Sequence, residues 1–203
     1  MKKRATLTAV YTTFWLIEKD KKMNMIENTK EIYIELNDSE WPLTYTDHDR
    51  MIVRAIVVDD AKKFHFVRAV RDDDFGKATI IETAGGGVED GENLEEAIVR
   101  ELGEELGVKV DIICKIGIVS DYYNLIHRHN INNYFLCRIK EFTEKNLTED
   151  EIEKYHLSSL CLSYSDALCE YERCKNSRLG RLIASREMPI LIRAGEILGL
   201  QSR

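Results

Sequence analysis

A chain of 203 residues suits one domain of ordinary size with appendages, and at 44% hydrophobic and 32% charged residues it can bury a full core without a staple. Its formal net charge of −7 argues against a duplex nucleic-acid partner, which is usually met by a basic face. The five cysteines, Cys114, Cys137, Cys161, Cys169 and Cys174, are odd in number and lack a CxxC pair, which reads as reduced thiols in a cytoplasmic protein. A zinc site built from His156, Cys161, Cys169 and Cys174 is the alternative, but its spacing fits no common ligand pattern.

In chain order, Met1-Lys2-Lys3-Arg4 and the apolar-leaning stretch 5–17 imitate the front of a secretory signal. That run of 13 residues is too short to span a bilayer and is followed by charges, not by a small-residue cleavage site. An arm packing on the domain or on a second subunit is the better expectation, and a translation start at Met23 or Met25 is another reading. Residues 31–36 alternate like a strand, and 37–49, with Pro42, read as a loop. The apolar run 51–58 suits a buried strand, 59–63 a hairpin turn, 64–70 the returning strand and 71–77 a second turn. A short strand over 79–83 leads into Gly85-Gly86-Gly87. A helix is predicted over 94–106, with Asn93 as N-cap and Gly107 as its stop. Strands follow over 110–121 and 132–139, then an acidic connection over 141–156 with some helix in it. A helix over 163–174 starts near Ser165 or Asp166, and the last helix covers 188–198 with Pro189 in its first turn. Strands with helices at irregular spacing indicate an α/β fold with a mixed sheet. The division expected is an N-terminal arm with an edge strand and loop over 1–50, and a main domain with C-terminal helices over 51–203.

The decisive stretch runs from Gly86 through Glu92 to Arg100-Glu101-Leu102-Gly103-Glu104-Glu105-Leu106-Gly107-Val108. On a helix wheel of about 100° per residue with Glu101 at the origin, Glu104 falls near ~300° and Glu105 near ~40°, so three carboxylates share one stripe. Ile98, Val99, Leu102 and Leu106 fall between roughly 60° and 160°, a neighbouring stripe able to face a core. Packed like charges repel, and a structural helix gains nothing from them. A divalent cation turns the repulsion into attraction, and oxygen-only ligands suit Mg²⁺ or Mn²⁺.

This stretch resembles the signature box of the Nudix hydrolases, with every specified position present. The resemblance implies an α/β/α sandwich around a mixed sheet and metal-dependent hydrolysis of a nucleoside diphosphate linked to a further group. It implies that Glu105 and either Glu101 or Glu104 hold the metal, with the Gly85 carbonyl as another ligand and a remaining carboxylate orienting or deprotonating water. Arg100 and Glu92 are implied to brace these ligands. A further acid usually comes from a later loop; Glu151 is the first candidate and Glu149 the second, among Glu144, Asp150 and Glu153. Arg54 and Arg68, on strands expected to flank the site, are candidates for phosphate, as are Arg71 and Arg128, since a guanidinium fork suits phosphate geometry. His127 and His129 flank Arg128 in an expected loop.

The resemblance names no substrate. With no proline between Pro42 and Pro189, the downstream proline markers similar to those of ADP-ribose and NADH hydrolases are absent. Tyr122 and Tyr123 stand near the position where dinucleoside polyphosphate hydrolases carry a tyrosine, and Tyr123 is the candidate to stack on a base. The usual proline before the glycines is replaced by Thr83-Ala84, a departure that bears on loop stiffness and metal geometry. The expectation is therefore a cytoplasmic, Mg²⁺- or Mn²⁺-dependent pyrophosphohydrolase acting on a small nucleotide, with no duplex nucleic acid and no membrane as partner. A homodimer is expected because the first 50 residues lack an evident burial partner. The alternatives are a nucleotide-sensing module that keeps the box, and an isoprenoid diphosphate isomerase.

Overall fold

The computed structural model describes residues 30–200. The arm over 1–22 and the starts at Met23 and Met25 lie outside the described residues. Within them the chain forms β1 (Ile32–Leu36), β2 (His48–Val58), β3 (Phe64–Asp73), β4 (Gly76–Glu82), helix α1 (Leu94–Leu106), β5 (Val108–Tyr123) and β6 (Arg128–Phe142). A single π-type turn over Asp150–Lys154 precedes β7 (Ser158–Leu162), α2 (Tyr164–Cys174) and α3 (Arg178–Ile197). None of these helices is long and apolar enough to cross a membrane.

The sheet is mixed, in the order β1-β5-β6-β2-β3-β4, with β7 also paired to β3. β1 runs parallel to β5 and β2 parallel to β6, whereas the remaining pairs are antiparallel. Period-two alternation along β2 loads both faces. Val53, Ala55 and Val57 pack with Ala97, Ile98, Leu102 and Leu106 of α1. Ile56 and Val58 join Ala167 and Tyr171 of α2 and Leu179, Ile183 and Ile190 of α3. The expected α/β/α sandwich with a mixed sheet is thus the architecture observed.

One irregularity positions the site. β2 and β3 pair only at Val57–Val58 and Phe64–His65. Beyond that point β3 turns to β4 and β7, and β2 is met instead by the glycine segment, through bridges Ile52–Gly87 and Ala55–Ala84. The diverging strands leave a cavity of about 670 Å³ between them.

Several boundaries differ from the sequence reading. The turn expected over 71–77 is only Asp74-Phe75, because Arg71, Asp72 and Asp73 pair with Ala78, Lys77 and Gly76 across an edge hairpin. The strand β7, which pairs with β3 over Phe64–Arg68, falls between the acidic connection and the next helix, where the sequence reading assigns no element. Ser163, not Ser165 or Asp166, caps α2, its hydroxyl accepting from the Asp166 amide. The largest correction is α3, which begins at Arg178 and carries Pro189 in its interior. Proline there removes the amide that would meet the Ser185 carbonyl and crowds that carbonyl with its ring, and the apolar packing on either side holds the helix together against that cost.

Candidate active site

α1 is built for a defined orientation. Asn93 and Glu96 form a reciprocal capping box, and Gly107 ends the helix in the left-handed conformation at φ 65°. Its last turn contains Glu104 and Glu105 and no basic residue, so two carboxylates stand at the negative end of the helix dipole. The buried residues are Ala97, Ile98, Leu102 and Leu106, whereas Val99 is 43% exposed and belongs to the solvent face. On the same wheel of about 100° per residue, the buried arc therefore runs from roughly 320° through 0° to 140°. Glu101 and Glu105 lie inside that arc, among the core residues and not beside them.

The consequence is electrostatic. Burial pushes the Glu105 carboxyl up to about 8, against the Gly85 amide and Arg54 that favour its charge, and with Glu101 and Glu151 adding repulsion. Burial also raises Glu101, opposed by Arg100 and reinforced by Glu104 and Glu151.

Each glycine of the triplet seats a different group. A Cβ on Gly85 would lie 2.1 Å from the Val53 carbonyl oxygen, and its φ of 143° suits glycine alone. Its amide donates to Glu105 Oε2 at 2.8 Å. At Gly86 a Cβ would stand 2.5 Å from both carboxylate oxygens of Glu101, and at Gly87 it would stand 2.9 Å from the Arg50 guanidinium. Ala84 and Gly86 give their carbonyls to Ala55 and Val53 of β2, so the pleat turns the Gly85 carbonyl the other way. Where a proline was expected, Thr83 donates from its amide and hydroxyl to Glu187 at 2.7 and 2.9 Å, so hydrogen bonds to α3 fix the segment in place of a ring.

Arg100 binds Glu92 through two nitrogens at 2.9 Å each, and it also reaches Glu101 at 2.8 Å, Glu104 at 3.1 Å and the Gly87 carbonyl at 3.0 Å. It therefore ties the glycine loop and Glu92 to the helix beside Glu101.

The cavity has acids and bases in view of one another. Glu101, Glu105 and Glu151 line it, as do Arg50, Arg54, Arg128 and Arg186. Of the later acids, Glu151 alone lines the cavity, among the described residues; its Oε2 accepts from the Thr148 amide and hydroxyl at 2.7 and 2.8 Å, which fixes the turn that carries it. Glu104 stays at the rim with 38% of its side chain exposed. Arg68 is not brought to the site: Val67, Ala69 and Arg71 line the cavity, and alternation sends Arg68 to the other face of β3. Arg71 does face it, bonded to Asp73 at 2.7 Å and held over the rings of Phe75 and Tyr155. Tyr123 is on the wall, but its hydroxyl accepts from Arg186 at 2.8 Å, and burial raises its pKa. Tyr122 and His129 stack on each other, and His127 stacks on Tyr45.

Sequence reasoning missed Arg50, the rings of Phe75 and Tyr155 beside Arg71 and, above all, Arg186 and Glu187. These last are 1% and 0% exposed. Glu187 accepts from Thr83, from Tyr171 at 2.6 Å and from Arg186 at 2.9 Å, and Arg54 lies 3.6 Å away. Arg186 also approaches Asp121 at 3.5 Å. Two cations thus face two anions, and the positive charge of Arg186 and Arg54 holds the Glu187 carboxyl below its ordinary range despite burial. The signal was present: Leu179, Leu182, Ile183, Ile190, Leu191 and Ala194 keep one helical stripe on both sides of Arg186-Glu187.

The acid end suits a divalent cation. Every candidate donor is oxygen, and the carboxylates carry mutual repulsion that such an ion removes. No three of them bring oxygens within 4.8 Å of one another. That spacing fits an ion such as Mg²⁺, which keeps several waters and takes one or two carboxylates.

The NUDIX domain profile matches residues 48–173, from the first residue of β2 almost to the end of α2. A NUDIX hydrolase from Nitrosomonas europaea is similar in structure with a TM-score of 0.54 at 16% identity, over 75% of this chain and 89% of its own. The E. coli ORF135 protein gives a TM-score of 0.50 at 20% identity, over 74% of this chain and 91% of its own. No curated protein matches the sequence.

Proposed function

From a chain that belongs to the Nudix hydrolase superfamily, we propose a pyrophosphohydrolase that cleaves a nucleoside diphosphate joined to a further group, with Mg²⁺ or Mn²⁺ held by Glu105 and Glu101 or Glu104, and by the Gly85 carbonyl. The observation that carries this reading is Glu105, a carboxylate driven up to about 8 by burial among other acids on a helix that could have buried leucine there. When bound, the cation neutralises the diphosphate, polarises phosphorus and lowers the pKa of its water. Glu151 receives the proton of the attacking water, its Oε2 anchored to Thr148 and its other oxygen left for the task. Arg50 and Arg128 hold phosphate oxygens; the Arg128 Nε is buried without a hydrogen-bond partner, as a group awaiting an anion would be. Phe75 and Tyr155, with the Arg71 guanidinium between them, offer the flat wall for a nucleobase. Arg54 acts from below as a fixed positive charge, since its own donors go to Thr83 and Asn132. The reading includes a cytoplasmic location, in keeping with five free cysteines, and a homodimer that light scattering tests.

A hydrolysis screen with Mg²⁺ and with Mn²⁺ over nucleotide sugars, dinucleoside polyphosphates, triphosphates and nucleotide coenzymes tests the proposal. Release of a nucleotide product with either metal, stopped by chelator, is the expected result. Saturable nucleotide binding without turnover across the panel would establish a sensing module instead.

A further inference from the structure

A second group of potential ligands lies outside the cavity, where the β2–β3 hairpin meets β7. Asp59, His65 and Cys161 are the only three His, Cys, Asp or Glu residues, among those described, whose ligand atoms all fall within 4.8 Å of one another. None of them lines the catalytic cavity. They come from three separate pieces of backbone. His65 and Cys161 stand directly opposite each other in the antiparallel β3–β7 ladder, and Asp59 opens the hairpin turn. That turn is closed by the Lys63 amide on Asp59 Oδ1 at 2.9 Å and by the Lys62 amide on the Asp59 carbonyl at 3.0 Å. Oδ1 is thereby committed to the turn, and Oδ2 is left facing the imidazole at 3.1 Å. The Phe142 ring lies 5.7 Å from the His65 ring, tilted 55° to it.

One imidazole nitrogen is shared between two partners. His65 Nε2 faces both the Asp59 carboxylate at 3.1 Å and the Cys161 sulfur at 3.8 Å. One ring nitrogen either donates or accepts. If Nε2 carries a proton, it serves the carboxylate and leaves the exposed thiol to solvent. If it carries a lone pair, it accepts from the thiol and repels the carboxylate. A cation among the three satisfies all of them at once. The spacing agrees: bonds of about 2.0–2.3 Å to a tetrahedral zinc ion set ligand edges of roughly 3.3–3.6 Å. The two edges here, 3.1 and 3.8 Å, bracket that range.

We propose that Asp59, His65 and Cys161 form a surface site for a late divalent transition metal, zinc in particular, distinct from the catalytic cation. The donor set of one oxygen, one nitrogen and one sulfur selects zinc or cobalt over magnesium, which wants oxygen alone. Cys161 is exposed, so the fourth position opens to water. The ion would staple β7 to the β2–β3 hairpin. The turn carrying Glu151 leads into β7 and is itself bonded to β3 by the Val70 amide on the Tyr155 carbonyl, so the staple also steadies the support of the proposed base. The alternative zinc grouping of His156, Cys161, Cys169 and Cys174 is not assembled: Cys174 is buried with its sulfur on the Ile81 amide, and Cys169 is exposed on α2.

The test is optical titration of the full-length, metal-free protein with Co²⁺, read at the thiolate-to-cobalt charge-transfer band, which oxygen ligands cannot produce. One equivalent should develop the band, Zn²⁺ should displace it, and a tenfold excess of Mg²⁺ should not. Cys161→Ser and His65→Gln should each abolish the band, and thermal unfolding of both variants should show a cooperative transition near that of the parent. A band that survives Cys161→Ser, or a parent protein that shows none, overturns the site. Because the readout is spectroscopic, it stands whether or not the hydrolytic assignment does.

Discussion

Helices α1 and α3 do the same unusual thing with opposite results. Each places two ionisable residues within the stripe that faces the sheet: Glu101 and Glu105 on α1, Arg186 and Glu187 on α3. On α3 the charges are matched, the hydrogen bonds are made, and the Glu187 carboxyl is held below its ordinary range. On α1 like charges are gathered, and the Glu105 carboxyl is driven up to about 8. Arg54 acts on both glutamates, so its charge cannot explain the contrast. The balance of the remaining partners does. The matched pair holds β4 and the glycine segment to α3 through Thr83, whereas the acids gathered on α1 leave their repulsion uncompensated. Burial of charge is therefore a functional mark only where compensation is missing.

The comparison is broken most forcefully by neutralising one glutamate at a time. Glu105→Gln should lower hydrolysis by more than about 100-fold, beyond the 10–100-fold lost with residues that only orient metal ligands, because it removes a proposed ligand of the cation. The same change should raise the thermal stability of the metal-free protein at pH 8, by about 2–4 °C for each kcal/mol of relieved charge burial. A variant that is both inactive and less stable would show that Glu105 supports the fold. Glu187→Gln should do the reverse, costing about 3–5 kcal/mol because Arg186 is left buried and poorly matched. Denaturant unfolding measures that loss; an unchanged midpoint would mean the α3 network is dispensable.

Arg100→Ala should weaken cation affinity or activity by about 10–100-fold, the scale for residues that orient metal ligands. Metal titration of activity would separate the two effects. The pH dependence of stability sharpens the contrast further. Glu105 has a raised folded pKa, so its contribution is fully present below the ordinary value of 4.5 and is lost as pH climbs toward about 8. Glu187 has a lowered one, so its contribution is present above 4.5 and disappears as pH falls below it. Chemical denaturation of metal-free protein should therefore lose stability from pH 5 to 8, and the Glu105→Gln variant should lose less. The smallest effect belongs to Arg68→Ala, which should change kcat/KM by less than about twofold because its side chain faces away from the cavity. A large drop in kcat/KM would return it to the phosphate site.

Local signals sufficed for the box helix, its caps, the mixed sheet and the stripe of acids, because each is a property of spacing along a few turns of chain. The pairing of Arg100 with Glu92 was expected only from the family resemblance, and no motif set Glu151 apart from its acidic neighbours. Tertiary structure decided what spacing leaves open. That Glu101 and Glu105 lie within the buried arc depends on how α1 is rolled against β2, and that Arg54 faces the cavity while Arg68 does not depends on where β2 and β3 part. Arg186 and Glu187 look like surface charges next to a proline until α3 is laid on the sheet and Thr83, Tyr171 and Asp121 meet them from distant segments. Whether a buried charge is neutralised or left open is fixed by neighbours far away in the chain, and such contacts have no period to read.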